Sequence, residues 1–218
     1  MAPTATVHMA VTAVDGRPAQ LVWDTPPDLD PPVPRRVAAA LGLRPHRELL
    51  QLRRSLPIPA DQPARARAPH LQLRRFDPDR DAQAWVSANN AAFATHPSQG
   101  DQTLETLAAT LAEPWVDLDG FLVLDDPDHP GELVGSCWTR VHEPTGADPE
   151  LGEIFVIGVH PRHHGRGTGA ALVLAGLDHL AAQGVATGML WVEADNAAAL
   201  RLYDRLGFEP ERRRRIHA

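Results

Sequence analysis

Lysine is absent from this chain; all 21 of its basic residues are arginine. A phosphate loop of the nucleotide-hydrolase type, which needs a lysine followed by serine or threonine, is therefore excluded. With abundant Ala, Pro, Asp and Arg, the missing lysine points to coding bias in a GC-rich genome. Cysteine is nearly absent too. Cys137 alone cannot form an intramolecular disulfide framework and fits a reducing cytosol, so a cytoplasmic location is expected. Its strand-like setting reads as a buried small hydrophobe. No apolar run approaches the length of a membrane span, and no apolar core behind positive residues suggests a secretory signal. Positive charge is not in excess: the formal net charge is −7, which offers no general field for nucleic acid or an anionic membrane. The one strong basic run, Arg212–Arg215, reads as a solvated tail, with an anion-gripping patch as the alternative.

What is present suffices for a sizeable core, with 43% apolar residues in 218. The length fits one large domain or one domain plus a fragment. Ala19 to Trp23 and Arg47 to Arg54 are strand-like, and Pro32 to Leu43 reads as a helix. This strand–helix–strand piece is too small to bury a core alone. It must lean on the rest of the chain, pair with another chain, or be poorly ordered. Pro57 to Pro69, rich in proline, alanine and charge, reads as a semi-extended connector.

Beyond the connector the expected order is strand, helix, helix, strands, helix, strand, helix, strand. The strands are placed at Leu71 to Phe76, Phe121 to Leu124, Leu133 to Val141, Glu153 to Val159, Met189 to Val192 and from Phe208. The helices are placed at Pro78 to Ala94, Thr103 to Ala112, Ala170 to Ala182 and Ala197 to Leu206. Asp77 and Asn196 sit at helix starts, and Gly184 and Gly207 at helix ends. The pattern describes an α/β protein with a mixed sheet covered by helices.

One run is richest in chemistry: Glu153-Ile-Phe-Val-Ile-Gly-Val-His-Pro-Arg-His-His-Gly-Arg-Gly-Thr-Gly169. A strand opens on an acid and ends at His160-Pro161. Gly165, Gly167 and Gly169 follow, and then a helix. Glycines let backbone N–H groups converge on a ligand, and a helix start adds unpaired N–H groups and a positive dipole end. The junction is suited to a pyrophosphate. A second run, Asn196-Ala-Ala-Ala-Leu-Arg-Leu-Tyr-Asp-Arg-Leu-Gly-Phe208, contains the only tyrosine, Tyr203.

Together these two runs resemble the GNAT acetyltransferase superfamily, in which the first binds the pyrophosphate of acetyl-CoA and the second flanks the thioester. Within it, His96-Pro-Ser-Gln-Gly100, Glu113-Pro-Trp115, Gly135-Ser-Cys-Trp-Thr139, Val141-His142, Leu151 to Val159 and Val192 to Asn196 resemble the C-terminal domain of the mycothiol synthases. The resemblance implies residues 1–57 as a remnant of an N-terminal GNAT-like domain, 58–70 as a linker and 71–218 as the catalytic domain. It implies acetyl-CoA as co-substrate and a small-molecule acceptor, the cysteinyl amine of cysteinyl-glucosaminyl-inositol. No metal, nucleic acid or membrane partner is expected, and a monomer or weak homo-oligomer is.

Acetyl transfer to an amine needs a base for the ammonium and an acid for the departing thiolate. Glu153 is the candidate base and also a substrate contact; a plain strand-end acid is the alternative. Tyr203 is the candidate acid, against a core aromatic. The resemblance assigns the pantetheine arm to the backbone of Ile157, Gly158 and Val159. It assigns the pyrophosphate to His164, Gly165, Arg166, Gly167, Thr168, Gly169 and Ala170, and the last cofactor contacts to Asn196, Ala199 and Arg201. Gly158 fits a bulge or a close backbone approach. His160, His163 and His164 lack a zinc-motif spacing and read as solvated or phosphate-facing. On the acceptor side the chain departs from the family's pattern. Ser98 stands in place of its Glu, Arg140 in place of its Lys and Trp191 in place of its Tyr. Another small-molecule amine, a protein N-terminal amine, or a non-catalytic acyl-CoA-binding module stay open as alternatives.

Overall fold

The structure is a computed structural model and describes residues 8–14, 17–94, 99–146 and 148–218. In chain order the elements are β1 (His8–Val14), β2 (Arg17–Thr25), α1 (Pro32–Ala40), β3 (Pro45–Ser55), α2 (Pro63–Arg67), β4 (Arg74–Arg75), α3 (Pro78–Ala92) and α4 (Leu104–Leu111). Then follow β5 (Phe121–Asp125), β6 (Leu133–His142), β7 (Leu151–Val159), α5 (Thr168–Ala182), β8 (Thr187–Glu193), α6 (Ala197–Arg205) and β9 (Glu209–His217). The class is α/β. The chain forms two compact units: residues 55–188, and residues 1–54 together with 189–218.

In the unit of residues 55–188 the strand order is β7-β6-β5-β4, with antiparallel pairing throughout. Side chains alternate between the two faces of such a sheet. One face carries an aromatic core. Phe121 stacks on Phe76 at 4.1 Å and on Trp138 at 4.3 Å, and Trp85 of α3 meets Phe121 and Trp138 edge-on. Leu107 of α4 closes this core. The other face receives α5. A Cβ on Gly176 would lie 2.5 Å from Cys137 Sγ, so glycine is what lets this helix settle against β6. Cys137 is fully buried there, and burial pushes its thiol up to about 12, leaving it unreactive.

Local signals explain the helix ends. Asp77 accepts from Asp79 N–H at 3.1 Å, with Pro78 in the first turn of α3. Thr103 and Thr106 cap α4 reciprocally. Gly184, with φ of +89°, follows α5. The connector departs from its semi-extended expectation. It contains α2, whose Arg65 hydrogen-bonds Asp178 of α5 at 2.8 Å. The strand expected over Leu71 to Phe76 is reduced to β4, in which Arg74 and Arg75 pair with Val123 and Leu122 of β5, while Phe76 N–H adds one bond to Phe121 O at 2.7 Å.

In the other unit the strand order is β1-β2-β9-β3-β8. Leu21, Trp23 and Ala38 form a small core, joined by Val37 and Leu43. The run Arg212–Arg215 is no solvated tail. It lies in β9, paired to β2 on one side and β3 on the other. Each flanking region supplies an acceptor. Arg214 makes a bidentate pair with Asp24 at 2.7 Å, Arg213 bonds Glu48, and buried Arg215 donates to Thr25 Oγ1 at 3.1 Å. The arginines are tolerated inside a sheet because their charges are matched there.

Candidate active site

Glu153 is the third residue of β7, directly opposite Arg140 of β6. Opposed residues of an antiparallel pair share a face, so both lie on the face that carries the aromatic core. Its side chain is 11% exposed, and Nε2–H of His142 donates to its Oε2 at 2.7 Å. His142 occupies the diagonal position on β6, two residues beyond Arg140. In the sequence His142 stands inside a motif with no role of its own. Its signal is the two-residue step from Arg140, which becomes meaningful once the register is known.

The register shifts between Trp138 and Thr139, whose partners are Val156 and Ile154. Phe155 is the extra residue of a β-bulge. The bulge therefore falls at Phe155 and not at Gly158. Gly158 instead meets a close neighbour, since an added Cβ would lie 3.3 Å from Ala92 of α3. The bulge leaves Phe155 and Val156 on the same face as Glu153. There they line a cavity of about 210 Å³ with Trp85, Asn89, Gln102 and Trp138. Asn89 Nδ2 donates to Gln99 O at 2.9 Å, and Asn90 exchanges two hydrogen bonds with the Gln102 backbone. Paired asparagines on α3 thus hold one wall of the cavity.

Arg140 lays its guanidinium over Trp115 at 4.4 Å, with its Nε shielded from solvent and unbonded among the described residues. Trp115 in turn meets Phe155 edge-on at 4.9 Å. Ser98 lies outside the described residues. In the other unit, Trp191 carries Arg214 over its ring at 4.3 Å.

The glycine loop runs from His160 to α5. Gly165 and Gly167 adopt φ of +76° and +79°, a left-handed backbone that glycine alone takes without strain. Gly167 is the N-cap of α5 and no side chain caps it. The intrahelical bonds begin with Ala171 N–H to Gly167 O, which leaves the N–H groups of residues 167–170 without helical partners. An anion such as a pyrophosphate fits this cradle. Arg166 is exposed beside it. His164 turns back: its Nε2 donates to Val159 O at 2.9 Å, on one of the strand residues expected to face the pantetheine arm.

His163 differs from its expectation as a solvated or phosphate-facing group. It is buried, with Nε2 donating to Asp126 Oδ2 at 2.9 Å. Asp126 follows β5, and nothing local in the sequence marks it, because 37 positions separate it from His163. Burial works to raise its carboxyl. Hydrogen bonds from Asp128 N–H, His163 and His129 outweigh that and take it down to about 2. A depressed carboxyl stabilises the fold above its unfolded value of about 4, and that contribution fades as pH falls through about 2. We expect the urea midpoint to drop between about pH 4 and pH 2, and Asp126→Asn to flatten that part of the pH profile. An unchanged slope in the variant would show that other carboxylates set the acid limit.

In the second unit, Asn196 Oδ1 accepts from Ala199 N–H at 3.0 Å and caps α6. Arg201 is exposed on that helix. Tyr203 is buried, with its ring 5.7 Å from Phe208 and tilted 66°.

A family model described as Acetyltransferase (GNAT) family matches residues 83–208, more than half of the chain. This chain belongs to the GNAT acetyltransferase family. Its GNAT relatives include the mycothiol acetyltransferase of Kocuria rhizophila, 43% identical over 181 residues, covering 83% of this chain and 60% of the relative. That of Acidimicrobium ferrooxidans is 49% identical over 168 residues, covering 77% and 53%. The chain thus spans between about half and three fifths of the curated relatives it matches. Among solved structures, a GCN5-related N-acetyltransferase from Sphaerobacter thermophilus aligns with TM-score 0.66 and 26% identity, covering 91% of this chain and 59% of that one. The GNAT fold expected from the glycine loop and the Asn196–Phe208 run is borne out.

Proposed function

We propose that this GNAT protein transfers acetyl from acetyl-CoA to the primary amine of a small acceptor of the mycothiol synthase type, cysteinyl-glucosaminyl-inositol. The observation that carries the reading is the Glu153 carboxylate, nearly buried, held by His142 and set on the same sheet face as the cavity. Acetyl-CoA supplies the activated acetyl group and a thiolate leaving group. Glu153 takes a proton from the acceptor's ammonium, directly or through a water, leaving the free amine as nucleophile. His142 fixes which way the carboxylate faces.

The cradle of Gly165 to Ala170, with Arg166 and His164, holds the pyrophosphate, and Ile157 to Val159 offer backbone groups to the pantetheine arm. The Asn196, Ala199 and Arg201 segment is the last cofactor contact in this reading, and Tyr203 is the acid for the leaving sulfur. Ser98, Arg140 and Trp191 serve the acceptor. The relatives named mycothiol acetyltransferase support this choice of acceptor.

Steady-state turnover with cysteinyl-glucosaminyl-inositol against a panel of amines, including peptide N-termini, tests the proposal. The expected result is a kcat/KM for the named acceptor at least about 100-fold above the panel, the discrimination that buried polar groups left unpaired by a wrong substrate would give. Turnover confined to another amine would move the acceptor while keeping acetyl transfer. Acetyl-CoA binding without turnover of any amine would favour the binding-module alternative.

A further inference from the structure

The glycine loop is braced from outside the cradle. The turn between β5 and β6 closes through Asp126 N–H to Glu132 O at 3.0 Å. From this turn Asp126 reaches the loop, its side chain wholly shielded from solvent. Its Oδ1 accepts from Asp128 N–H at 3.0 Å, which holds the carboxylate in place. Its Oδ2 accepts from His163 Nε2 at 2.9 Å and from His129 Nδ1 at 3.1 Å. Arg162 adds ion pairs to Asp126 at 3.5 Å and to Glu132.

The bond from His163 Nε2 has a second consequence. A carboxylate on one ring nitrogen selects the tautomer with the proton there, leaving the other nitrogen as an acceptor. That other nitrogen, Nδ1, faces Arg166 Nη1 at 3.5 Å. Asp126, His163 and Arg166 thus form a chain that runs from a buried carboxylate to an exposed guanidinium at the cradle. His163 also lies between the end of β7 and Gly165, so anchoring its ring anchors the loop backbone.

We propose that Asp126 is a positioning residue for cofactor binding. Through His163 it holds the glycine loop and Arg166 in the arrangement that receives the pyrophosphate. It rests on the reading that this loop binds acetyl-CoA. Asp126 touches no substrate and takes no part in proton transfer. Its contribution is preorganisation: without it the loop must be ordered when the cofactor arrives, and the cost appears as lost affinity.

The test is calorimetric acetyl-CoA binding, with steady-state kinetics alongside. Wild-type binding comes first, because a wild type that binds no acetyl-CoA ends the functional reading independently of Asp126. Given binding, Asp126→Asn and His163→Phe are each expected to raise Kd and KM for acetyl-CoA about tenfold, the scale of one lost charge-assisted hydrogen bond. kcat at saturating acetyl-CoA should stay within about twofold, since the loss is one of binding and not of transition-state contacts. The double variant should lose no more than either single one, because the two act as a unit. His163→Gln, whose carboxamide N–H can replace the Nε2 donor, should recover most of the affinity.

His129→Ala is the control. It removes another partner of Asp126 that lies on the turn and not on the loop, so it should leave Kd within about twofold if loop anchoring is what matters. Three outcomes overturn the proposal: wild-type affinity in Asp126→Asn, multiplying losses in the double variant, or an equal loss in His129→Ala. If Asp126→Asn does not fold, the His163→Phe and His163→Gln pair still decides the matter.

Discussion

Glu153→Gln is expected to lower kcat by about 10²- to 10⁴-fold, the range of a lost general base. The substitution is close to isosteric, and its carboxamide oxygen can still accept from His142 Nε2, now 2.7 Å from the carboxylate. What disappears is the ability to take a proton. The glycine loop is untouched, so acetyl-CoA should bind with a Kd within about twofold of wild type, the pattern of an interaction used only in the transition state. Release of free CoA thiol measures the first quantity and calorimetry the second. The loss should shrink as pH is raised toward the acceptor's own amine pKa, because more of the acceptor then arrives as free amine. A variant that turns over within about threefold of wild type at neutral pH would remove Glu153 from the chemistry.

The second large effect concerns stability. Trp138→Ala is expected to cost about 3–5 kcal/mol, the range for truncating a large buried aromatic. Trp138 is 1% exposed and stacks on Phe121, while Trp85, Trp115 and Phe155 contact its edges or faces. Its indole nitrogen has no hydrogen-bond partner among the described residues, so the cost is one of packing alone. For a chain of this size about 10 °C of Tm should be lost. Because Trp138 also opposes the bulge and lines the cavity, acceptor KM should rise in the variant at temperatures where it remains folded. Urea unfolding gives the energy, and a loss under about 1 kcal/mol would show that the neighbouring rings close the gap.

Much of this was legible in the chain. The glycines at 165 and 167 could be placed because the turn from strand to helix takes a left-handed backbone, with φ of +76° and +79°, that glycine adopts without strain. Asn196 could be placed as a cap because caps are local, set within three residues. Glu153 was found by its place in a motif. What escaped was whatever depends on register or on distant pairing. His142 meets Glu153 only because β6 and β7 are aligned with Arg140 opposite Glu153. The bulge at Phe155 leaves no local mark, since Phe, Val and Ile all suit a strand. Asp126 and His163 look unremarkable until two turns meet. The arginine run was misjudged because charge in sequence says nothing about whether partners will be waiting: Asp24 and Glu48 lie more than 160 positions from it. The strand β1 was not anticipated at all; among its described side chains, residues 9–12 are exposed, so no buried alternation marks it.

The placement of β9 bears on the order in which the protein can assemble. Residues 55–188 form one uninterrupted stretch, and their contacts can close while the chain is still leaving the ribosome. Strands β2 and β3 emerge before that stretch yet must wait, because β9, the strand between them, is made after it. Until then Asp24 and Glu48 have no arginines to meet, and the edges of two strands stand open. Birth order and folding order are reversed for this part of the molecule. Its early strands depend on a later one, and a chain cut short before Glu209 leaves β2 and β3 without the strand that joins them.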